Sequence, residues 1–173
     1  MIGPALPAIE LGGLTVPLWA AADFDQTYDV IGPRPIMRMM SGVGVMQSHW
    51  QKLKTSLNGS GWMPAGFDGL DRTAQQLLKC AAPRTIQSAS NAITLPAARR
   101  TDYTPGMTAL MPGRILVETP SSLVGNVLTG TTVSGALAYV AWYWPQLTGY
   151  IVGLTTNARQ GDAGSWKLDF EEV

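Results

Sequence analysis

Glycine and proline punctuate this sequence so often that short extended runs, rather than long helices, are what the chain is suited to build. There are 19 glycines and 12 prolines; proline removes a backbone donor and glycine favours turns. The pattern is plainest in the C-terminal third. Arg114–Glu118, Leu123–Thr129, Ala136–Trp144, Leu147–Val152 and Ser165–Phe170 are separated by Gly- or Pro-containing breaks. Repeated short strands of this kind predict a sandwich or a barrel. The expected class is mostly β with at most one or two short helices.

A chain of 173 residues fits one β-rich domain over 23–173 behind a Pro-, Gly- and Ala-rich arm over 1–22. Within that arm Leu14–Trp19 suits either an edge strand or an extended segment lying on a neighbour. The opening residues lack the basic and apolar blocks of a secretory signal. Arg72–Ala82 reads as a short helix or a strand. Arg84–Pro105 is polar and reads as a long loop around one short strand, the kind of segment that serves as a contact arm. The uncharged span Thr119–Ala158 raises a membrane helix, but Pro145 and Gln146 interrupt its apolar part. Two adjacent buried strands fit better than a span of the bilayer.

The most distinctive stretch is Asp25–Trp62. Gln26–Ile31 and Ile36–Met40 suit strands, joined by Gly32-Pro33-Arg34-Pro35. A turn at Ser41–Gly44 leads into Val45–Leu57, whose Met46, Trp50, Leu53 and Leu57 also satisfy helix spacing. The glycine turns on both sides favour a strand, and Asn58-Gly59 is a favourable type I′ turn pair. Val30–Phe67 contains no acid but holds Arg34, Arg38, Lys52 and Lys54. This predicts a long basic hairpin.

Charge is both sparse and uneven. Only 14% of residues are charged, with twelve basic and twelve acidic side chains, against about 25% in an average soluble domain. Low charge density and zero net charge favour association. Glu10, Asp23, Asp25 and Asp29 stand in the first thirty residues without a single Lys or Arg, and Asp169, Glu171 and Glu172 crowd the C-terminus. Separate acidic and basic patches suit head-to-tail contact between copies; pairing of these charges within one chain is the alternative. The candidate inter-subunit contacts are Arg34, Arg38, Trp50, Lys52, Lys54, Arg99 and Arg100. The basic hairpin could also touch DNA phosphates in a channel.

Chemistry-bearing motifs are few. Cys80 and His49 are the only cysteine and histidine, so no disulfide framework or Cys/His metal cluster forms within one chain. Gly42-Val43-Gly44 lacks the rest of a dinucleotide fingerprint, and Gly59-Ser60-Gly61 lacks the lysine of a phosphate loop. Asp68 and Asp71 lack the ligand ladder of a calcium loop. No enzyme, cofactor or metal is expected. A carbohydrate-binding module is a further possibility, on Trp142, Tyr143, Trp144 and Tyr150.

The run Arg38–Thr55, RMMSGVGVMQSHWQKLKT, joins an arginine, a small-residue turn, and an aromatic with lysine on the returning strand. Together with SLNGSGWMPAG from Ser56 and LKCAAPR from Leu78, it resembles structural proteins near the tail tip of long-tailed bacteriophages, the distal-tail and upper-baseplate group. The likeness covers Asp25–Arg84 and is one of residue classes. It implies a tail-tube-like β-sandwich or barrel, assembled in a ring, six-fold by resemblance, between tail tube and tip. It also implies other tail proteins as partners, a virion location after synthesis in the host cytoplasm, and no catalytic residues. A tail-tube subunit or a head–tail joining protein is the neighbouring reading.

Overall fold

The computed structural model describes residues 7–157 and 164–173. In chain order the strands are β1 (Glu10–Leu11), β2 (Leu14–Thr15), β3 (Asp23–Ile31), β4 (Ile36–Arg38), β5 (Gly44–Met46) and β6 (Lys52–Gly61). There follow β7 (Gln76–Lys79), β8 (Arg84–Ser88), β9 (Ala92–Thr94), β10 (Gly106–Met111) and β11 (Ile115–Thr119). The last are β12 (Ser121–Val124), β13 (Val127–Gly130), β14 (Ala138–Tyr143), β15 (Gln146–Asn157) and β16 (Gly164–Glu172). Helix among the described residues is confined to three-residue 3₁₀ turns at Leu18–Ala20, Phe67–Gly69 and Pro112–Arg114.

The strands fall into two compact units, Glu10–Leu78 with Thr148–Val173, and Lys79–Leu147 with the described residues before Glu10. The sequence predicts a single domain over 23–173 with a separate arm before it. Part of that arm is built into the first unit instead: β2 is the edge strand of its sheet, and Leu11, Val16 and Ala20 are buried.

The first unit is a seven-stranded sheet in the order β2-β1-β7-β15-β16-β6-β3. From Lys54 to Gly61 in β6 and from Ser165 to Glu171 in β16 burial alternates, as the two-residue period of a strand requires. Leu57 on β6 and Trp166, Leu168 and Phe170 on β16 are buried, while the residues between them are not. The Phe67 ring meets Trp166 edge-on, centroids 5.3 Å apart at 84°, a favoured aromatic geometry. The Trp166 indole N–H donates to the Ala20 carbonyl at 2.7 Å.

This packing overrides the expected turn at Asn58-Gly59. Both residues lie inside β6, paired with Lys167 and Trp166 on one side and Asp25 and Phe24 on the other. Glycine is needed at 59 because a Cβ there would lie 2.6 Å from the Trp166 indole nitrogen. The glycine makes room for a ring; it does not reverse the chain.

The second unit packs the sheet β11-β10-β14-β8 against the sheet β12-β13-β9. Met107 and Ala109 of β10 and Tyr139, Ala141 and Tyr143 of β14 share a buried core with Ile93 of β9 and Leu128 of β13. That is a small β-sandwich. No sheet among the described residues closes on itself, so the barrel form of the expectation gives way to the sandwich. Leu123–Thr129, expected as one strand, is a hairpin: Val124 pairs Val127 across Gly125-Asn126. Gly125 has φ +59°, which a two-residue turn of the primed type requires. Arg84–Pro105 carries two strands, β8 and β9, in place of a long loop around one.

The uncharged span 119–157 resolves into strands, with β14 and β15 in different sheets. No helix among the described residues is long and apolar enough to cross a membrane.

Candidate functional site: an exposed apolar hairpin

β3 and β6 pair from Asp23↔Ser60 to Ile31↔Lys52, and the twenty residues between them leave the sheet. They form their own hairpin, β4 against β5, with Ile36↔Met46, Met37↔Val45 and Arg38↔Gly44 in register. Its root is set by Gly32, whose φ of +142° and close approach to the Trp50 carbonyl exclude a side chain. At the tip, Gly42 takes φ +81° and donates to Met39 O at 2.8 Å, while Met39 donates to Val43 O at 3.0 Å. The Arg38 guanidinium caps the same turn by donating to Gly42 O at 3.2 Å.

Every residue from Pro33 to Gln51 is exposed. The exposed set includes Ile36, Met37, Met39, Met40, Val43, Val45, Met46 and Trp50. Both faces of the hairpin are therefore apolar and unpacked. Two strands without a covered face are marginally stable in water, and contiguous exposed apolar surface marks an interaction site. Methionine suits such a surface, because its unbranched thioether adapts to the shape of a partner.

The seven residues singled out from the sequence separate into three groups. Arg34, Arg38 and Trp50 belong to the exposed hairpin. Lys52 and Lys54 lie beyond its root in β6, and both engage their own chain. The Lys52 ammonium donates to Val173 O, and Lys54 pairs with Glu171 at 3.0 Å. The Glu171 carboxylate holds the Lys54 ammonium above its ordinary pKa. Arg99 and Arg100 form the third group, in the second unit. Arg99 is spent on the chain around the β12–β13 turn, donating to Asn126 Oδ1 at 2.7 Å, Gly125 O at 2.9 Å and Pro96 O at 3.0 Å.

Arg100 corrects the sequence reading. Its side chain is 2% exposed, paired with Asp102 at 2.7 Å and donating to Ala8 O at 2.7 Å and Cys80 O at 3.1 Å. Its guanidinium also lies 4.8 Å from the centroid of the Tyr103 ring. A buried cation must be paired and hydrogen-bonded in this way, and it has no surface to offer a neighbour. The pair holds the Asp102 carboxyl at about 2, below its ordinary 3.8.

Other candidates contribute no chemistry at this surface. Cys80 is buried and His49 exposed on the hairpin side of β6. Of the aromatic residues considered for sugar binding, Tyr143 and Trp144 are buried and present no ring face, whereas Trp142 is half-buried and Tyr150 exposed. No cluster of metal-ligating side chains exists among the described residues. Neither a family model nor a curated protein matches the chain.

Proposed function

We propose that the chain is a structural subunit that assembles through the β4–β5 hairpin, in the ring-forming part of a phage tail to which the likeness over Asp25–Arg84 points. The observation that carries the reading is the hairpin itself: apolar side chains on both of its faces, held out on glycine-defined bends, with no core of their own. A partner covering that surface would turn a marginal two-stranded element into a packed one. The tail tip is the setting suggested by the residue pattern alone, and assembly is the part that the geometry supports.

The test is the size of the purified chain, by analytical ultracentrifugation and negative-stain microscopy, beside a variant carrying Met37→Ser, Met39→Ser and Met40→Ser. The wild type is expected to form closed rings and the variant to remain a folded monomer. A wild type that stays monomeric at micromolar concentration, or a variant that assembles unchanged, would refute the reading.

A further inference from the structure

A second feature lies in the first unit and owes nothing to the hairpin. The solvent side of the seven-stranded sheet carries polar side chains in cross-strand rows. Asp25, Asn58, Lys167 and Thr155 stand in register across β3, β6, β16 and β15. Asp23, Ser60, Ser165 and Asn157 form the next row. These residues line a shallow concavity of about 310 Å³. A second concavity of about 230 Å³ adjoins it at Ser165 and Asn157 and is bounded by Trp62 and Asp68.

Trp62 is 86% exposed, and its neighbour Trp19 is 62% exposed. Their ring centroids lie 6.5 Å apart at 50°. The pair is held by backbone and not by burial. Trp62 and Met63 donate their N–H groups to the Trp19 carbonyl at 2.7 and 3.4 Å. That approach requires Gly61, because a Cβ there would lie 2.7 Å from the Trp19 carbonyl carbon. The backbone thus holds Trp62 at the end of a polar groove, its indole exposed beside a second ring.

We propose that this groove binds an uncharged oligosaccharide, with Trp62 as the stacking platform. A pyranose ring has an apolar C–H face, which meets the electron-rich face of an indole. Its rim carries hydroxyls, each both donor and acceptor. Carboxylates accept, the lysine donates, and the asparagine and serine side chains do both. Asp23 and Asp25 in the groove disfavour a phosphate-bearing chain, and polar groups repeated at strand spacing suit hydroxyls along an extended polymer. Binding sites of this kind combine an apolar wall with a few placed polar groups.

The test titrates the full chain with chitotetraose, cellotetraose and maltotetraose, by calorimetry and tryptophan fluorescence. At least one is expected to bind saturably. Trp62→Ala should weaken that binding by about tenfold, Trp62→Tyr should largely restore it, and Leu137→Ala, at an exposed position outside both surfaces, should leave it unchanged. Far-UV circular dichroism verifies that each variant is folded. Failure of all three sugars to bind overturns the proposal, and so does binding indifferent to Trp62→Ala. A change in oligomer size on Trp62→Ala without sugar binding would assign the tryptophan pair to a protein interface instead. Because Trp62 lies outside the hairpin, failure here leaves the assembly reading standing, and the reverse holds too.

Discussion

Substituting Gly59 tests the packing of the first unit more sharply than any truncation of its core. An added Cβ at position 59 would overlap the Trp166 ring and lie 2.6 Å from its Nε1. Position 59 is in mid-strand, so the backbone cannot yield without breaking register with both β3 and β16. The ring must move. Doing so detaches the indole N–H from Ala20 O, at 2.7 Å in the native chain, and an unsatisfied buried donor costs about 1–3 kcal/mol. It also spoils the edge-on contact with Phe67, worth about 0.5–1.5 kcal/mol. Against this, replacing glycine by alanine restricts the unfolded chain and returns about 0.4–1 kcal/mol. Gly59→Ala should therefore destabilise by about 2 kcal/mol, within the usual range for overpacking. In a Trp166→Leu background the overlap and both lost contacts are absent, so the same substitution should be neutral or stabilising by up to about 1 kcal/mol. Urea unfolding of the four proteins, followed by far-UV circular dichroism, gives the coupling directly. An equal cost of Gly59→Ala in both backgrounds would show that the glycine is not there for the ring.

In the second unit, Arg100→Met should cost about 2–3 kcal/mol in urea unfolding, below the roughly 3–5 kcal/mol of a fully buried pair because Asp102 can rehydrate; a loss under about 0.5 kcal/mol, within surface-substitution range, would contradict the burial of the guanidinium. Asp102 has its pKa depressed from 3.8 to about 2, so its contribution is present above 3.8 and fades as pH falls through about 2. The stability gap between wild type and Asp102→Asn should accordingly close over that window, and a gap that widens on acidification would be inconsistent with the pair. If assembly rests on the apolar hairpin, ring size should resist high sodium chloride and be favoured by sulfate. Light scattering across a salt series checks this, and dissolution of rings by sodium chloride would point to ion pairs instead.

Much of the fold could be read locally. Alternation over Ser165–Phe170 marks β16, and the glycine-rich turn at Ser41–Gly44 marks the bend between β4 and β5. What escaped was set by distant partners. Asn58-Gly59 carries the local signature of a turn, yet its glycine answers to Trp166, a residue from the far end of the chain. Gly125-Asn126 sits in an apolar run, and only the pairing of Val124 with Val127 shows it to be a reversal. The exposed hairpin residues Arg34 and Arg38 could be found from the absence of nearby acids. The burial of Arg100 could not, because its partners include carbonyls of Ala8 and Cys80. Nothing local distinguishes Trp62, held out in water, from Trp166, packed in a core; the difference arises where β6 runs past Trp19.

The uneven charge of the sequence acquires a different meaning once the register is known. The basic end of β6 lies beside the acidic end of β16, placing Lys54 opposite Glu171 and Ser56 opposite Asp169. Lys54 is paired, Asp169 accepts from Ser56, and Leu53 donates its N–H to the Glu172 carboxylate at 2.9 Å. Much of the complementarity that the sequence displays between its middle and its tail is therefore satisfied across one pair of neighbouring strands. What the chain leaves outward on the hairpin is two arginines amid methionine, isoleucine and valine. Hydrophobic burial is non-directional and proportional to area, whereas the arginines can select register and orientation. An assembling surface built this way would draw its affinity from the apolar side chains and its geometry from Arg34 and Arg38.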